Sequence, residues 1–254
     1  MVFQILISTL NPKSNDFEGL PAPALVISQN SIGEEVQSEN LTFLSFNERG
    51  LSKSRNRAIK NSNANFALIS DEDVKFVDDV EEKVINAFQN YPDADILTFK
   101  IETPEGECYK NSYSEESFEH TRSSIYRVSS VEIAIKVTSI KKKGIMFDER
   151  FGLGAKYPSG EEVIFLNDAL NAGLKVRYVP ETIVFHPRES SGKVLDKNFY
   201  RSKGAVVKRL YGFSPSLTLG ILFLGKQFVK KGKMLSFVSA IKEASLGYFS
   251  IHRH

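Results

Sequence analysis

Residues 50–76 read GLSKSRNRAIKNSNANFALISDEDVKF, and their order decides the fold. A polar turn leads into a helical segment, then into an apolar run at 66–70. Two aspartates one residue apart, Asp71 and Asp73, stand just past that run. Ser52 is placed to N-cap a helix reaching about Ser62, with Ala58 and Ile59 on its inner face. Open α/β sheets take their ligands outside the carboxyl ends of the strands. Two carboxylates at such an edge suit a hard divalent cation, and the cation suits a diphosphate. The plain alternative is a solvated turn whose acids are favoured by the helix that follows.

Working outward, strands are predicted at 2–10, 24–28, 41–46, 66–70 and 95–101, and helices at 52–62, 77–90 and 161–172. Short strands at 174–179 and 182–185 flank Pro180. Residues 125–136 suit one or two strands, and 141–144 a basic turn. Only about a dozen residues, with Pro21 and Pro23 among them, join the first two strands, so a helix there is shortened or missing. Strands alternating with helices predict an α/β fold, a Rossmann-like mixed sheet flanked by helices. The polar stretch 102–124 is too long for a connector, and such loops are usually functional or mobile.

The 254 residues suffice for one full core, and 41% hydrophobic with 25% charged residues excludes wholesale disorder. The lone Cys108 excludes an internal disulfide framework and a cysteine zinc site, and it fits a reducing compartment. The N-terminus reads as a strand rather than a signal peptide. The longest apolar run, 217–224, is far short of a membrane span. The net charge of +2 conceals an asymmetry: residues 196–254 carry eleven Lys and Arg against two Asp and Glu. We therefore expect two parts, a domain at 1–195 and a basic, amphipathic helical extension at 196–254. The extension either packs on the domain with its lysines in water or meets anionic lipid, each basic residue then contributing on the order of 1 kcal/mol. Nucleic acid is not expected, because aromatics are not interleaved with the basic residues.

Three further features carry chemistry. Glu161 and Glu162 open a helix after the Gly-rich stretch 152–160. Ser159 with Glu162 fits a capping box, in which the glutamate only satisfies backbone donors, whereas a carboxylate beside a cleft can deprotonate a hydroxyl. His186, ending a strand, is either a polar terminus or an imidazole completing a cation's shell. Arg55 and Asn56, on the first turns of their helix, are either solvated or part of an anion site. SSGK at 190–193 lacks the spacing of a phosphate loop, although Ser190, Ser191 and Lys193 could close over a diphosphate.

Taken in order, these pieces resemble family 2 glycosyltransferases of the GT-A fold. The matches are Ser8-Thr9-Leu10-Asn11 after the first strand, the G-x-S-x-x-R-N pattern of Gly50, Ser52, Arg55 and Asn56, and the DxD of Asp71 and Asp73. Phe147-Asp148-Glu149-Arg150-Phe151, Gly160-Glu161-Glu162, Ala172-Gly173, Pro180 and His186 continue the series, which covers roughly 2–188. The resemblance implies an inverting, metal-dependent transferase using a nucleotide-diphosphate sugar, with a UDP-sugar favoured and a GDP-sugar the alternative. Thr9, Asn11, Gln29, Ser52, Arg55, Asn56, Asp71 and Glu72 would bind the donor. Asp73, Asp71 and His186 would hold Mn²⁺ or Mg²⁺. Glu162 would be the base, with Glu161 as its alternative. The acceptor would be a saccharide, lipid-linked in surface glycan synthesis, with the protein peripheral at the cytoplasmic face of a membrane. By its length and position alone, the 102–124 loop, with Tyr109, Tyr113 and His120, is expected to select the acceptor. The family's acidic residue after the second strand is absent, since Ser28-Gln29-Asn30 stands there. That departure keeps open a catalytically degenerate, partner-binding subunit. A nucleotidylyltransferase would need glycines after the first strand, which Asn11-Pro12-Lys13-Ser14 lacks.

Overall fold

The computed structural model describes residues 1–10, 12–29, 35–187, 196–212 and 234–251, with the side chains of 234–238 left aside. Asn11, Ser190, Ser191, Lys193 and the basic, aliphatic stretch 217–233 lie outside the described residues.

The described strands are β1 (Phe3–Leu10), β2 (Ala24–Gln29), β3 (Glu35–Gln37), β4 (Leu41–Phe46), β5 (Phe66–Asp71), β6 (Lys75–Phe76), β7 (Ile96–Glu102), β8 (Phe118–Glu119), β9 (Ile133–Lys136) and β10 (Val176–Phe185). The helices are α1 (Leu51–Asn61), α2 (Val80–Asn90), α3 (Val137–Lys143), α4 (Glu161–Asn171), α5 (Lys197–Tyr211) and α6 (Met234–Phe249). The strands form one mixed sheet in the order β3-β4-β2-β1-β5-β9-β7-β10-β6, with β8 also paired to β10. β4, β2, β1 and β5 run parallel. β9 is wedged antiparallel between β5 and β7, and β7 runs parallel to β10. The carboxyl ends of β1, β2, β5, β7 and β10 therefore share one edge.

Both faces of the sheet are covered, which is why its central strands read as continuous apolar runs. In β1, Phe3, Ile5 and Ile7 face the core under α2, where Val80, Val84 and Phe88 pack. Leu6 faces the other core, with Ile59 of α1, Ile140 of α3 and Phe165 of α4. Among the described residues between β1 and β2 there is a single 3-10 turn, Ser14–Phe17, in place of a helix.

Several local expectations differ from the structure for identifiable reasons. Ser52 does not cap α1: Gly50 holds the N-cap position at φ +133°, and the Ser52 hydroxyl donates to Phe151 O at 2.6 Å. α2 starts at Val80 rather than 77 because Lys75 and Phe76 pair with β10. Of 125–136 only Ile133–Lys136 is strand, with 3-10 turns at Ile125–Arg127 and Ser130–Glu132. The basic turn at 141–144 is the end of α3, closed by Gly144 in the left-handed conformation. The two short strands around Pro180 are one strand, β10, with an irregular register between Tyr178 and Thr182, because proline has no N–H for the ladder.

The C-terminal helices pack on the domain. α5 and α6 cross so closely that a methyl at Gly204 would meet Ala244 O at 1.8 Å, and one at Gly247 would meet Arg201 O at 1.9 Å. Arg209 of α5 reaches Asp168 of α4 at 2.6 Å and Asp148 at 3.0 Å. Beside α6, Ser250 meets the Tyr157 hydroxyl at 2.7 Å. No described helix is long and apolar enough to cross a membrane.

Candidate active site

The shared carboxyl edge of the sheet opens into a cleft of about 560 Å³. Its wall brings together Thr9, Gln29, Arg55, Asp71, Glu72 and Asp73 with Glu161, Glu162 and His186. Residues scattered over the sequence thus meet in one place. Ser52 and Asn56 do not reach the wall.

Those two residues brace the cleft from beneath. α1 turns a polar face inward where an apolar stripe is usual. Asn56 Nδ2 donates to Phe147 O at 3.0 Å, and its Oδ1 accepts from Phe147 N at 2.8 Å. With the Ser52 bond to Phe151, the helix grips residues 147–151. Both residues, expected to contact the donor, are engaged in these structural bonds. Gln29 is 5% exposed, and its carbonyl accepts from Gly50 N at 2.6 Å while its amide nitrogen lies 3.5 Å from Thr9 O. Its amide spans two loops at the cleft's base.

Arg55 sits at the centre of the site and is only 2% exposed. Its Nη2 donates to Asp71 Oδ1 at 2.8 Å and its Nη1 to Glu161 Oε1 at 3.2 Å. Burial works against its charge, but Asp71, Glu161 and Glu162 more than compensate, so its pKa is raised. It is a strut between two carboxylates, not the open anion site that its helix position suggests. Asp71 also accepts from Ser130 Oγ at 3.2 Å, a residue that sequence reasoning missed because it lay in a stretch read as strand.

The acidic pair divides into unlike members. Glu161 is buried, and burial together with the neighbouring Glu162 charge pushes its pKa up to about 8 against the pull of Arg55. Glu162 is half-buried and faces the cleft. The capping-box reading of Ser159 and Glu162 is not realised: Gly160 occupies the N-cap position, no side chain caps α4, and Ser159 Oγ is buried without a partner.

Among the described residues, no three of His, Cys, Asp and Glu converge to hold a cation. The set of Asp71, Asp73 and His186 is not assembled, because Asp71 is committed to Arg55 and Ser130. Asp73 is 69% exposed in its side chain, and its Oδ2 lies 3.8 Å from His186 Nε2. The other ring nitrogen, Nδ1, faces Pro187 O at 2.7 Å. A carbonyl only accepts, so Nδ1 carries the proton and, in the neutral ring, Nε2 turns a lone pair toward a carboxylate. Nε2 and the Asp73 carboxylate face each other, with the imidazole oriented through its far nitrogen, as metal-ligating histidines are. This pair fits a cation that takes the rest of its shell from a diphosphate and water. Glu72 is exposed, and partial burial is the main cause of its raised pKa.

The 102–124 loop serves two places. Tyr109 lines the cleft and meets the His186 ring edge-on at 5.5 Å. Tyr113 and His120 instead line a separate cavity of about 310 Å³. There Tyr113 donates to the buried Glu132, and both ring nitrogens of His120 are held, by Thr98 and Ser124 at 2.8 Å. Burial lowers the His120 pKa to about 4.

No protein-family model matches the chain, and no curated protein sequence does. Solved structures do. S. aureus TarS 1-349 superposes with a TM-score of 0.64 at 17% identity, over 97% of this chain and 83% of that one. TarS 1-349 in complex with UDP-GlcNAc gives 0.62 at 16% identity, over 97% and 84%. The complex with UDP gives 0.62 at 17% identity, over 96% and 80%. At such identity the likeness is one of fold. The chain has the GT-A fold with C-terminal helices added.

Proposed function

We propose that the chain is an inverting glycosyltransferase that moves a hexosyl group from a UDP-sugar to a saccharide hydroxyl. One observation carries this reading. Among the described residues, five buried side-chain atoms without a hydrogen-bond partner collect at this cleft: Ser8 Oγ, Thr9 Oγ1, Arg55 Nε, Ser159 Oγ and Glu161 Oε2. Leaving such atoms unpaired costs roughly 1–3 kcal/mol each, a cost that a polar ligand relieves. The fold supports the same reading, since TarS of that fold has been solved with UDP-GlcNAc and with UDP.

In this reaction the acceptor oxygen attacks the anomeric carbon, and the bond from that carbon to the diphosphate oxygen breaks. Glu162, on the cleft wall, takes the hydroxyl proton. Ser8 and Thr9, ending β1, face the nucleotide. Arg55 holds Asp71 at the donor end and Glu161 at the acceptor end in fixed register. Asp73 and His186 would hold Mn²⁺ or Mg²⁺, which when bound neutralises charge gathering on the departing diphosphate. We place the acceptor on a membrane lipid at the cytoplasmic face, in surface glycan synthesis, because residues 196–254 are so basic beside the acidic remainder.

The test is calorimetric titration with UDP, GDP and CMP, with and without Mn²⁺. Mn²⁺-dependent binding of UDP is expected. GDP binding would change the donor, and metal-independent binding would remove the metal role of Asp73 and His186. Binding of none, by folded protein, would move the weight to a non-catalytic, partner-binding subunit.

A further inference from the structure

The separate cavity of about 310 Å³ adjoins the cleft. Tyr109 and Ser130 line the cleft, whereas Lys110 and Glu132, one and two residues further along, line the cavity. The chain at 109–110 and 130–132 is therefore a wall common to both spaces. The volume lies at the lower end of the roughly 300–1,000 Å³ usual for small-molecule sites.

The 102–124 segment supplies much of the cavity's wall and is tied down on both sides. Tyr109 N donates to Ile101 O at 3.1 Å, and Ile101 N donates to the Tyr113 hydroxyl at 3.1 Å. On the other side β8 pairs with β10, Phe118 standing opposite Tyr178, and His120 N donates to Val176 O at 2.7 Å. The Tyr178 hydroxyl donates to Ser114 O at 2.9 Å. A wall held in this way keeps its shape before a ligand arrives, which lowers the cost of binding.

Floor and rim differ in how their polar groups are used. In the floor they are paired: the buried Glu132 accepts from Lys110 Nζ at 2.7 Å and from the Tyr113 hydroxyl, and the buried His120 is held by Thr98 and Ser124. At the rim Ser112, Phe118 and Arg127 are exposed. Among the described residues, the Ser112 hydroxyl and the Arg127 guanidinium make no hydrogen bond or ion pair. The Phe118 ring is 5.0 Å from those of both Tyr178 and His120, centre to centre, and the Tyr113 ring lies nearly parallel to that of Tyr178 at 6.2 Å. Aromatic faces and unspent donors thus share one small cavity. A pyranose ring has the complementary chemistry: its C–H face packs on aromatic rings, and its hydroxyls donate and accept around the edge. An apolar ligand would leave Arg127 and Ser112 unused, and a bare phosphate would gain nothing from the rings.

We propose that this cavity is a saccharide site that takes one sugar ring of the acceptor, away from the hydroxyl that reacts, with Phe118 as its platform and Arg127 as a donor to its hydroxyls. That the sugar belongs to the acceptor rests on the transferase reading above; that the cavity takes a sugar does not.

The experiment titrates the full chain with maltotriose, mannotriose, galactotriose and chitotriose, with and without UDP, and follows binding by saturation-transfer NMR. At least one trisaccharide should bind with a Kd of about 1 mM, whether or not UDP is present, because the cavity is separate from the cleft. Phe118→Ala should weaken that binding about tenfold and Arg127→Ala about fivefold. Both should melt like wild type and bind UDP as it does, since both side chains are exposed and off the cleft wall. Phe118→Tyr, keeping the ring, should bind like wild type. Arg127→Ala carries the test should loss of the ring disturb β8. Binding unchanged in both alanine variants overturns the proposal, and so does a folded protein that binds none of the four sugars. Sugar binding that weakens in both variants of a protein that binds no UDP keeps the saccharide site and sinks the transferase reading instead.

Discussion

The donor edge and the acidic corner of the cleft are built in opposite ways. The donor edge comes from neighbouring pieces of chain: β1, β2, α1 and β5 follow one another, and Thr9, Gln29, Asp71 and Asp73 sit at or just past their ends. The acidic corner is made of long-range contacts. Ser52 meets Phe151, Asn56 meets Phe147, Arg55 meets Glu161, and Tyr157 meets Ser250, each across more than ninety residues of sequence. Local pattern positions one half of the site, and tertiary packing positions the other. Recognition of the nucleotide should therefore be robust, and catalysis fragile.

Variants can break that division. The largest effect is expected for Glu162→Gln, which removes the base while leaving the donor edge alone. Turnover should fall about 10²–10⁴-fold, with UDP affinity by calorimetry unchanged. A fully active variant would return the base role to Glu161. Next is Arg55→Met, which strands two carboxylates that share one buried cation. Loss of one partner of a buried pair costs about 3–5 kcal/mol, readable as a shifted urea midpoint. Because Arg55 joins the two halves, UDP binding should weaken as well, and a variant that keeps full stability would show the strut to be dispensable. The smallest change is expected for Ser159→Ala. A true N-cap serine would cost about 1 kcal/mol, whereas the unpartnered Ser159 should cost less than about 0.5 kcal/mol in the same unfolding assay.

The same division explains what could be read from the sequence. The strands, α1, α4 and the DxD turn follow from apolar periodicity and local breakers, and they place the cleft. The role of α1's polar residues was not legible. Ser52 looks like a cap, and Arg55 looks like an open anion site, because Phe151 and Glu161, which they meet, lie about a hundred residues away. Ser130 carried no signal, being a serine in a stretch that alternates like a strand. β6 and the late start of α2 depend on pairing with β10, which no local window contains. The capping box at Ser159 and Glu162 has the right letters, but Gly160 takes the position with a backbone conformation that suits glycine.

The bond between Tyr157 and Ser250 also sets an order of events during synthesis. The donor edge has all of its α1 and β5 residues once residue 76 has emerged, whereas the loop leading to Glu162 lacks its contact with Ser250 until residue 250 does. At typical elongation rates that gap lasts roughly ten to thirty seconds. Through about the first half of that interval, until residues 147–161 emerge, the nascent protein presents Arg55, Asn56 and the polar face of α1 without the packing that later encloses them, a stage at which chaperones have time to act.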